Sequence, residues 1–201
     1  MSQELPDRFP FKLGRYRVVA PLGEGAQGSV YQAFLEGPLS FQLRVALKVV
    51  PLDGPEPDRL VKALANEARA LAAVYHPNVV RIHDFAKVQA WYLLAVEYVE
   101  GVDLRGLLRS FTDQGVGVPP ALTAEIARQV AAGLAAMHAL TDAAGEPSPV
   151  VHRDLKPANV LLSRHGAVKL ADFGLAKGKQ IAFHTTRANV TRGTPPYMSP
   201  E

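Results

Sequence analysis

The stretch His152-Arg153-Asp154-Leu155-Lys156-Pro157-Ala158-Asn159 decides how this 201-residue chain is read, together with Asp172-Phe173-Gly174, which begins thirteen positions after Asn159. An Asp or an Asn alone carries no information; both groups in this order and at this spacing are not a chance arrangement. Between them, Val160-Leu161-Leu162 and Val168-Lys169-Leu170 are short apolar runs, and Arg164-His165-Gly166 is a turn signal. The segment therefore predicts a β-hairpin. Asn159 precedes its first strand and Asp172 follows its second, so both are expected at the open end, side by side. An amide oxygen and a carboxylate there suit Mg²⁺, a hard cation that prefers oxygen and keeps substrate phosphates in its shell. A capped hairpin with two polar ends would explain Asn159 and Asp172, but not the flanking Asp154, Lys156 and Gly174.

The rest of the chain is of globular composition, 48% apolar and 20% charged, with no low-complexity tract. Its length allows one good-sized core or two small lobes. The net charge of +3, from 22 basic and 19 acidic residues, is too small an excess to argue for a nucleic-acid partner. The absence of cysteine excludes disulfides, thiolate zinc sites and thiol nucleophiles, and suits a reducing compartment. Met1 to Phe11 shows no apolar signal-peptide region, and no apolar run approaches the ~18 residues of a membrane span. No membrane segment is expected in this chain, and the expected location is cytoplasmic, with membrane attachment through a C-terminal region absent from this chain left open as the alternative.

Residues Tyr16 to Val50 read as strands broken by a glycine-rich turn, and Pro51 to Pro57 as a loop. Asp58 to Val74 has helical periodicity through Leu60, Leu64, Leu71 and Val74. His76-Pro77-Asn78 ends that helix, and Val79–Ile82 and Trp91–Val99 read as two more strands. The first hundred residues thus predict a five-stranded sheet with one helix. After Gly101 a helix starts at Leu104–Leu108. A longer helix, Ala121 to Leu140, carries Ile126, Val130, Leu134 and Met137 on one stripe. The expected division is an N-terminal extension over 1–15, one lobe over 16–100 and a second over 101–201.

Gly23-Glu24-Gly25-Ala26-Gln27-Gly28-Ser29-Val30 fits G-x-G-x-x-G-x-V. A dinucleotide-binding unit shares the glycines, but there the third one opens a helix. Here Ser29-Val30-Tyr31-Gln32-Ala33-Phe34 alternates like a strand. The glycines would let a hairpin tip press its backbone N–H groups close to phosphate oxygens. Val45-Ala46-Leu47-Lys48 ends another strand. Glu67 shares the helical stripe of Leu60, Leu64, Leu71 and Val74, and an acid on an apolar face needs a partner. A solvated Glu67 at the edge of that face is the bland reading; Lys48 as its partner is the preferred one.

From about Tyr16 to Glu201 the chain resembles the eukaryotic-like protein kinases, most closely the bacterial serine/threonine kinases. The likeness rests on H-R-D with an Asn five positions after the Asp, D-F-G, the glycine-rich stretch, V-A-L-K, and Gly193 to Glu201. Within the last, Ser199-Pro200-Glu201 stands where the family has A-P-E. The resemblance implies an α+β, bilobal protein-kinase-like fold. Its N-lobe would be a five-stranded antiparallel sheet plus one helix, and its C-lobe mainly helical and incomplete here. It implies ATP and Mg²⁺ as cofactors and Ser/Thr hydroxyls of protein substrates as acceptors of the γ-phosphate. Asp154 would take or orient the hydroxyl proton as catalytic base, with Lys156 reaching the transferring phosphate. Lys48, paired with Glu67, would hold the α- and β-phosphates. Asn159 and Asp172 would be the metal ligands.

By the same likeness, the nucleotide would lie against Leu22, Gly23, Glu24, Gly25, Ala26, Gln27, Gly28, Ser29 and Val30, then Ala46, Lys48 and Leu161. Glu97-Tyr98-Val99 would be the adenine-binding hinge, Val96 the gatekeeper and Asp103 a ribose contact. Leu71, Ile82, His152 and Phe173 would stack as one spine, and Val30, Ala46 and Leu161 would complete another around adenine. Arg153 implies control by activation-loop phosphorylation, with Thr185, Thr186 and Thr191 as candidate sites and autophosphorylation in trans as one route. The family's larger lobe continues beyond the motif ending at Glu201. The chain thus reads as truncated, with the Ala121 to Leu140 stripe expected to lie bare and weak activity in isolation. Two other functions fit less well. One is a nucleotide-binding but catalytically impaired scaffold, which would bind MgATP without turnover. The other is a small-molecule kinase of related fold, against which the Gly193 to Glu201 segment argues.

Overall fold

The structure is a computed structural model and describes residues 5–6, 8–25, 28–51, 65, 68–69, 71–172 and 197. The chain divides into two compact units, Met1–Ala72 with Arg81–Tyr98, and Ala73–Val80 with Val99–Glu201.

The first unit is built on an antiparallel sheet of β1 (Phe11–Leu13), β2 (Tyr16–Gly25), β3 (Gly28–Glu36), β4 (Gln42–Pro51), β5 (Ile82–Val88) and β6 (Trp91–Glu97). The six strands run in the order β1-β2-β3-β4-β6-β5. Alternation explains its two faces, because successive side chains of a strand point opposite ways. Ala33 of β3, Val45, Leu47 and Val49 of β4, and Leu93 and Ala95 of β6 join Leu13, Tyr16 and Val18 in one buried cluster. Burial of each large apolar side chain there contributes about 1.5–3 kcal/mol. The sheet curls until its two ends meet. The Tyr16 hydroxyl donates to the Asp84 carboxylate of β5, and Arg15 Nη2 lies 2.7 Å from the same oxygen. Burial foremost, then the hydrogen bond to Asp84, raises the Tyr16 phenol well above its ordinary range. Burial alone would raise the Asp84 carboxyl, but the hydrogen bonds from Arg15 and Tyr16 outweigh it and hold that group below its usual range.

Two differences from the sequence reading have physical causes. The sheet has six strands where five were expected, because Phe11–Leu13, assigned to an extension, pairs with β2 in the register Phe11↔Val18. The strand expected at Val79–Ile82 is displaced to Ile82–Val88. Val79 and Val80 are buried in the second unit instead, where Val79 bridges Leu170 and the Val80 N–H donates to the Leu170 carbonyl at 2.9 Å. The last strand stops at Glu97, short of Val99. The helix expected over Asp58–Val74 falls mostly outside the described residues; Ala65, Ala68, Arg69, Leu71 and Ala72 are helical.

In the second unit, β7 (Gly101–Asp103), β8 (Val160–Ser163) and β9 (Val168–Leu170) form a three-stranded antiparallel sheet in that order. It is accompanied by helices α1 (Leu104–Asp113) and α2 (Pro120–His138). Asp103 caps α1, its Oδ1 accepting from the Gly106 N–H at 2.6 Å. Pro120 opens α2, where a missing N–H costs nothing. The stripe expected to lie bare is covered at its ends and partly exposed between: Ile126 and Met137 are buried, and Val130 and Leu134 half-buried. Close packing of α2 on β9 is set at Gly133, where a Cβ would sit 2.8 Å from the Asn78 carbonyl oxygen and 3.0 Å from Leu170 Cδ1.

Candidate active site

In the first unit, β2 and β3 form a hairpin that closes with Gly25 opposite Gly28. A strand, not a helix, follows the third glycine, which separates this turn from a dinucleotide-binding one. Gly28 is fixed by sterics: its φ is +130°, and a Cβ would lie 2.2 Å from the Val49 carbonyl oxygen. No atom lies within 4 Å of a Cβ built on Gly23. Register then assembles one face of the sheet. Val30 is opposite Lys48, and Ala46 is opposite Val96. These four side chains share the face turned away from the buried cluster, with Lys48 half-buried between apolar neighbours. At the end of β6 the Glu97 N–H donates to the Arg81 carbonyl at 2.8 Å, and the Arg44 guanidinium lies 5.4 Å from the Tyr98 ring centroid. Both contacts hold the Glu97-Tyr98 segment against the sheet.

In the second unit, β8 and β9 form the predicted hairpin, with Val160 opposite Leu170 and a turn closed from Gly166 N–H to the Ser163 carbonyl. Asn159 is buried at its open end. The Asn159 carbonyl accepts from the Ala171 N–H at 2.9 Å, which brings the backbone before Asp172 alongside it. Asn159 Nδ2 donates to the Asp154 carbonyl at 2.8 Å and to Asp154 Oδ2 at 3.3 Å. That leaves the amide oxygen as the atom with which Asn159 could meet a cation. Asp172 is exposed and stands in the left-handed region, at φ 55°. Lys156 Nζ lies 2.8 Å from Asp154 Oδ2. Asp154 is thus held from two sides on one oxygen. The donor set of Asn159 and Asp172 is oxygen only, which fits Mg²⁺ and does not fit zinc. Among the described residues no cluster of three or more His, Cys, Asp or Glu could hold a metal by itself.

His152 orders this loop from within. Its Nε2 is 3.1 Å from the Ala171 carbonyl and its Nδ1 accepts weakly from the Asp154 N–H at 3.4 Å. Those two contacts define a neutral ring with the proton on Nε2, and burial pushes its pKa down. Arg153, next to it, has φ 61°, a left-handed position that an L-residue holds only under constraint. On β7, Asp103 stands opposite Leu161 of β8. Its carboxylate is already engaged by the Gly106 N–H and by Arg105 at 3.5 Å.

Ala26, Gln27, Glu67, Phe173, Thr185, Thr186 and Thr191 lie outside the described residues, so the proposed Lys48–Glu67 pair does too. Sequence reading missed Asn78, taken only as a helix end. It is buried, and its Nδ2 donates to Gln129 Oε1 and to the Val168 carbonyl, each at 2.8 Å, while its own carbonyl accepts from Leu170 N–H. It ties the hairpin to α2. The signal was a polar residue followed at once by the apolar pair Val79-Val80.

Glycine-rich hairpin, strand lysine, catalytic-type loop and Asn–Asp hairpin together define the protein kinase fold. The chain belongs to that family: the profile described as "Protein kinase domain" matches residues 16–201. Among curated proteins it is 37% identical over 193 residues to the serine/threonine-protein kinase pkn2 of Myxococcus xanthus, covering 94% of this chain and 21% of that protein. It is 35% identical over 189 residues to the tyrosine-protein kinase MasK of the same species, covering 94% and 29%. With the serine/threonine-protein kinase PrkC of Bacillus subtilis the identity is 29% over 188 residues, covering 94% and 26%. This chain therefore spans less than a third of the length of each of these relatives. Among solved structures, the kinase domain of Mycobacterium tuberculosis PknI (C20A mutant) superimposes with a TM-score of 0.62 at 29% identity, covering 86% of this chain and 64% of that one.

Proposed function

We propose that this chain carries the catalytic machinery of an ATP-dependent protein kinase that transfers the γ-phosphate to serine and threonine hydroxyls of protein substrates. The observation that supports it best is the Asp154 cluster, in which Lys156 and Asn159 grip one carboxylate at the open end of the hairpin that leads to Asp172. Asp154 accepts the proton of the attacking hydroxyl as its oxygen bonds to the γ-phosphorus and the bond to the β–γ bridging oxygen breaks. Lys156 adds positive charge near the transferring group. By likeness to the family, Lys48 and the backbone of the glycine-rich stretch would serve the phosphates, and Val30, Ala46, Val96 and Glu97 the base, from the first unit; Leu161, Val99 and Asp103 are the corresponding nucleotide-contact candidates of the second. Mg²⁺ held by Asn159 and Asp172 would neutralise charge on the phosphate oxygens. Little covalent chemistry falls to the protein, so positioning and charge stabilisation supply most of the rate.

The test is transfer of labelled γ-phosphate from MgATP to a generic basic protein and to the chain itself, beside Asp154→Asn. Label in the wild type, reduced about 10²–10⁴-fold in the variant, supports the reading. Equal label in both would overturn the role of Asp154. No label, with MgATP still raising the melting temperature, would leave a nucleotide-binding scaffold. The 35% identity to a protein named as a tyrosine kinase favours one second reading, a tyrosine acceptor. Lys156, two positions after Asp154, argues for serine and threonine. Phosphoamino-acid analysis of the labelled product separates the two.

A further inference from the structure

The segment before residue 16 lies outside the stretch that the family profile matches, yet it packs against the back of the proposed nucleotide site. Val30 and Tyr31 are neighbours on β3 and face opposite ways. Val30 shares its face with Lys48, its register partner, whereas Tyr31 is opposite Leu47 and Pro21 and packs on the buried cluster. Two rings from the N-terminal segment cover Tyr31. Ring centroids are 5.5 Å apart for Phe9–Phe11, 6.0 Å for Phe9–Tyr31 and 6.2 Å for Phe11–Tyr31, so all three pairs lie in the range of favourable aromatic contact. Phe11 is anchored by the β1–β2 ladder, and Leu13, two residues on, is buried in the core. The Phe11 ring is therefore held by the sheet itself, and Phe9, just before the strand, rests on Phe11 and Tyr31.

The hairpin arm they back has weak points. The β2–β3 ladder shifts register twice, between Val18 and Ala20 and between Pro21 and Gly23, on either side of the Pro21–Tyr31 pair. Such irregularities leave backbone groups unpaired and bend a strand. Just beyond them come Gly23 and Gly28, which add freedom where the proposed phosphate contacts are made. We infer that Phe9 and Phe11 are positioning residues for ATP: by clamping Tyr31 they fix the base of the glycine-rich hairpin and preorganise the backbone at Gly23 and from Gly28 to Val30. This rests on the reading of that hairpin as the phosphate site. An edge strand that merely adds stability would account for the packing of Leu13, but it requires no effect of the rings on nucleotide affinity.

The experiment is equilibrium binding of MgATP by calorimetry to the 201-residue chain and to Phe9→Ala/Phe11→Ala. Ile126→Val in the second unit serves as a control for general loss of stability. Amide exchange at residues 28–33 is followed in the same proteins without nucleotide. The expected result is a Kd raised about three- to tenfold in the double variant with faster exchange at 28–33, both unchanged in the control and restored in Phe9→Tyr/Phe11→Tyr. If the double variant fails to fold, Phe11→Leu, which keeps apolar volume but loses the ring contacts, should raise Kd about twofold. Kd values of the variants equal to that of the wild type, with unchanged exchange, would overturn the inference and leave the functional reading standing. A wild type that does not bind MgATP would overturn the functional reading, and the inference with it.

Discussion

At the scale of single residues, His152 and Gly28 show how one side chain, or its absence, fixes local chemistry. The His152 ring is neutral because burial, the largest cause, disfavours its charged form. Unfolded, it titrates near its ordinary 6.5; folded, it titrates lower. Between those values the unfolded chain binds a proton that the folded chain does not. The stability that His152 contributes is therefore fully present above the unfolded pKa and is lost as pH falls through the folded one. His83 is also lowered, by burial first and then by Arg81, and acts in the same window. The informative measurement is accordingly a difference, the melting temperature of wild type against His152→Phe over about pH 8 to 5. The variant should be less stable by about 1–3 kcal/mol at neutral pH, since it strands the Ala171 carbonyl and the Asp154 N–H. Its decline below pH 6.5 should be shallower; parallel curves would mean that His152 does not titrate in this way. Gly28→Ala acts by sterics, because its Cβ would meet the Val49 carbonyl oxygen at 2.2 Å. The strand must move, and MgATP affinity should fall about tenfold while the melting temperature of the second unit stays put. Unchanged affinity in calorimetry would show that the hairpin does not depend on that close approach.

At the scale of elements, α2 and the β8–β9 hairpin are joined through Asn78 and Gly133. Gly133→Ala sets two effects against each other. Helix propensity favours alanine by about 1 kcal/mol, but the new Cβ would sit 2.8 Å from a backbone oxygen that cannot easily retreat, since the Asn78 carbonyl also accepts from Leu170 N–H. Overpacking of about 1–3 kcal/mol should win, giving a net loss in urea unfolding; a gain would mean that the helix can slide. Asn78→Ala should cost a similar 1–3 kcal/mol, because it leaves the buried Val168 carbonyl without that donor. Much of this level was legible in the sequence, and the exceptions are instructive. The β8–β9 hairpin was readable because apolar runs flank an Arg-His-Gly turn. The β3 strand was readable because alternation follows the third glycine. By contrast β1 is three residues long and follows Pro6 and Pro10, so its composition reads as a tail. His83, Asp84 and Lys87 dilute the apolar signal of β5, and Val79-Val80 supplies a stronger one just upstream that belongs to another sheet. The Tyr16–Asp84 bond joins residues 68 apart, and no local periodicity encodes such a partner. The candidate site residues could be named for the opposite reason: Gly28, Lys48, Asp154, Asn159 and Asp172 stand in fixed order within short windows, whereas Asn78 and Phe11 make contacts distant in sequence.

At the scale of the whole molecule, the proposed function assigns phosphate contacts to the β2–β3 hairpin and Lys48 of the first unit, and metal ligands to Asn159 and Asp172 of the second. A ligand bound only by the folded chain raises its stability by mass action, about 2.7 kcal/mol at a hundredfold excess over Kd. ATP with EDTA should engage the first set of residues alone and give a modest rise in melting temperature. MgATP should give a larger one, because charge on the phosphates would then be neutralised by a cation for which Asn159 and Asp172 are the proposed ligands. Asp172→Ala and Asn159→Ala should each shrink the MgATP shift toward the ATP–EDTA value while leaving the latter unchanged. Lys48→Ala should lower both. Asn159→Ala carries a further cost that Asp172→Ala does not, since Asn159 Nδ2 also ties the Asp154 loop through bonds to its carbonyl and carboxylate. Its unliganded melting temperature should therefore fall as well, by an amount equivalent to about 1–3 kcal/mol. Equal shifts with and without Mg²⁺ in the wild type would remove the metal from the site and with it the roles given to Asn159 and Asp172. A Mg²⁺-dependent shift that survives both substitutions would place the cation on the phosphates alone, and the Asp154 cluster would then have to bind substrate without a metal beside it.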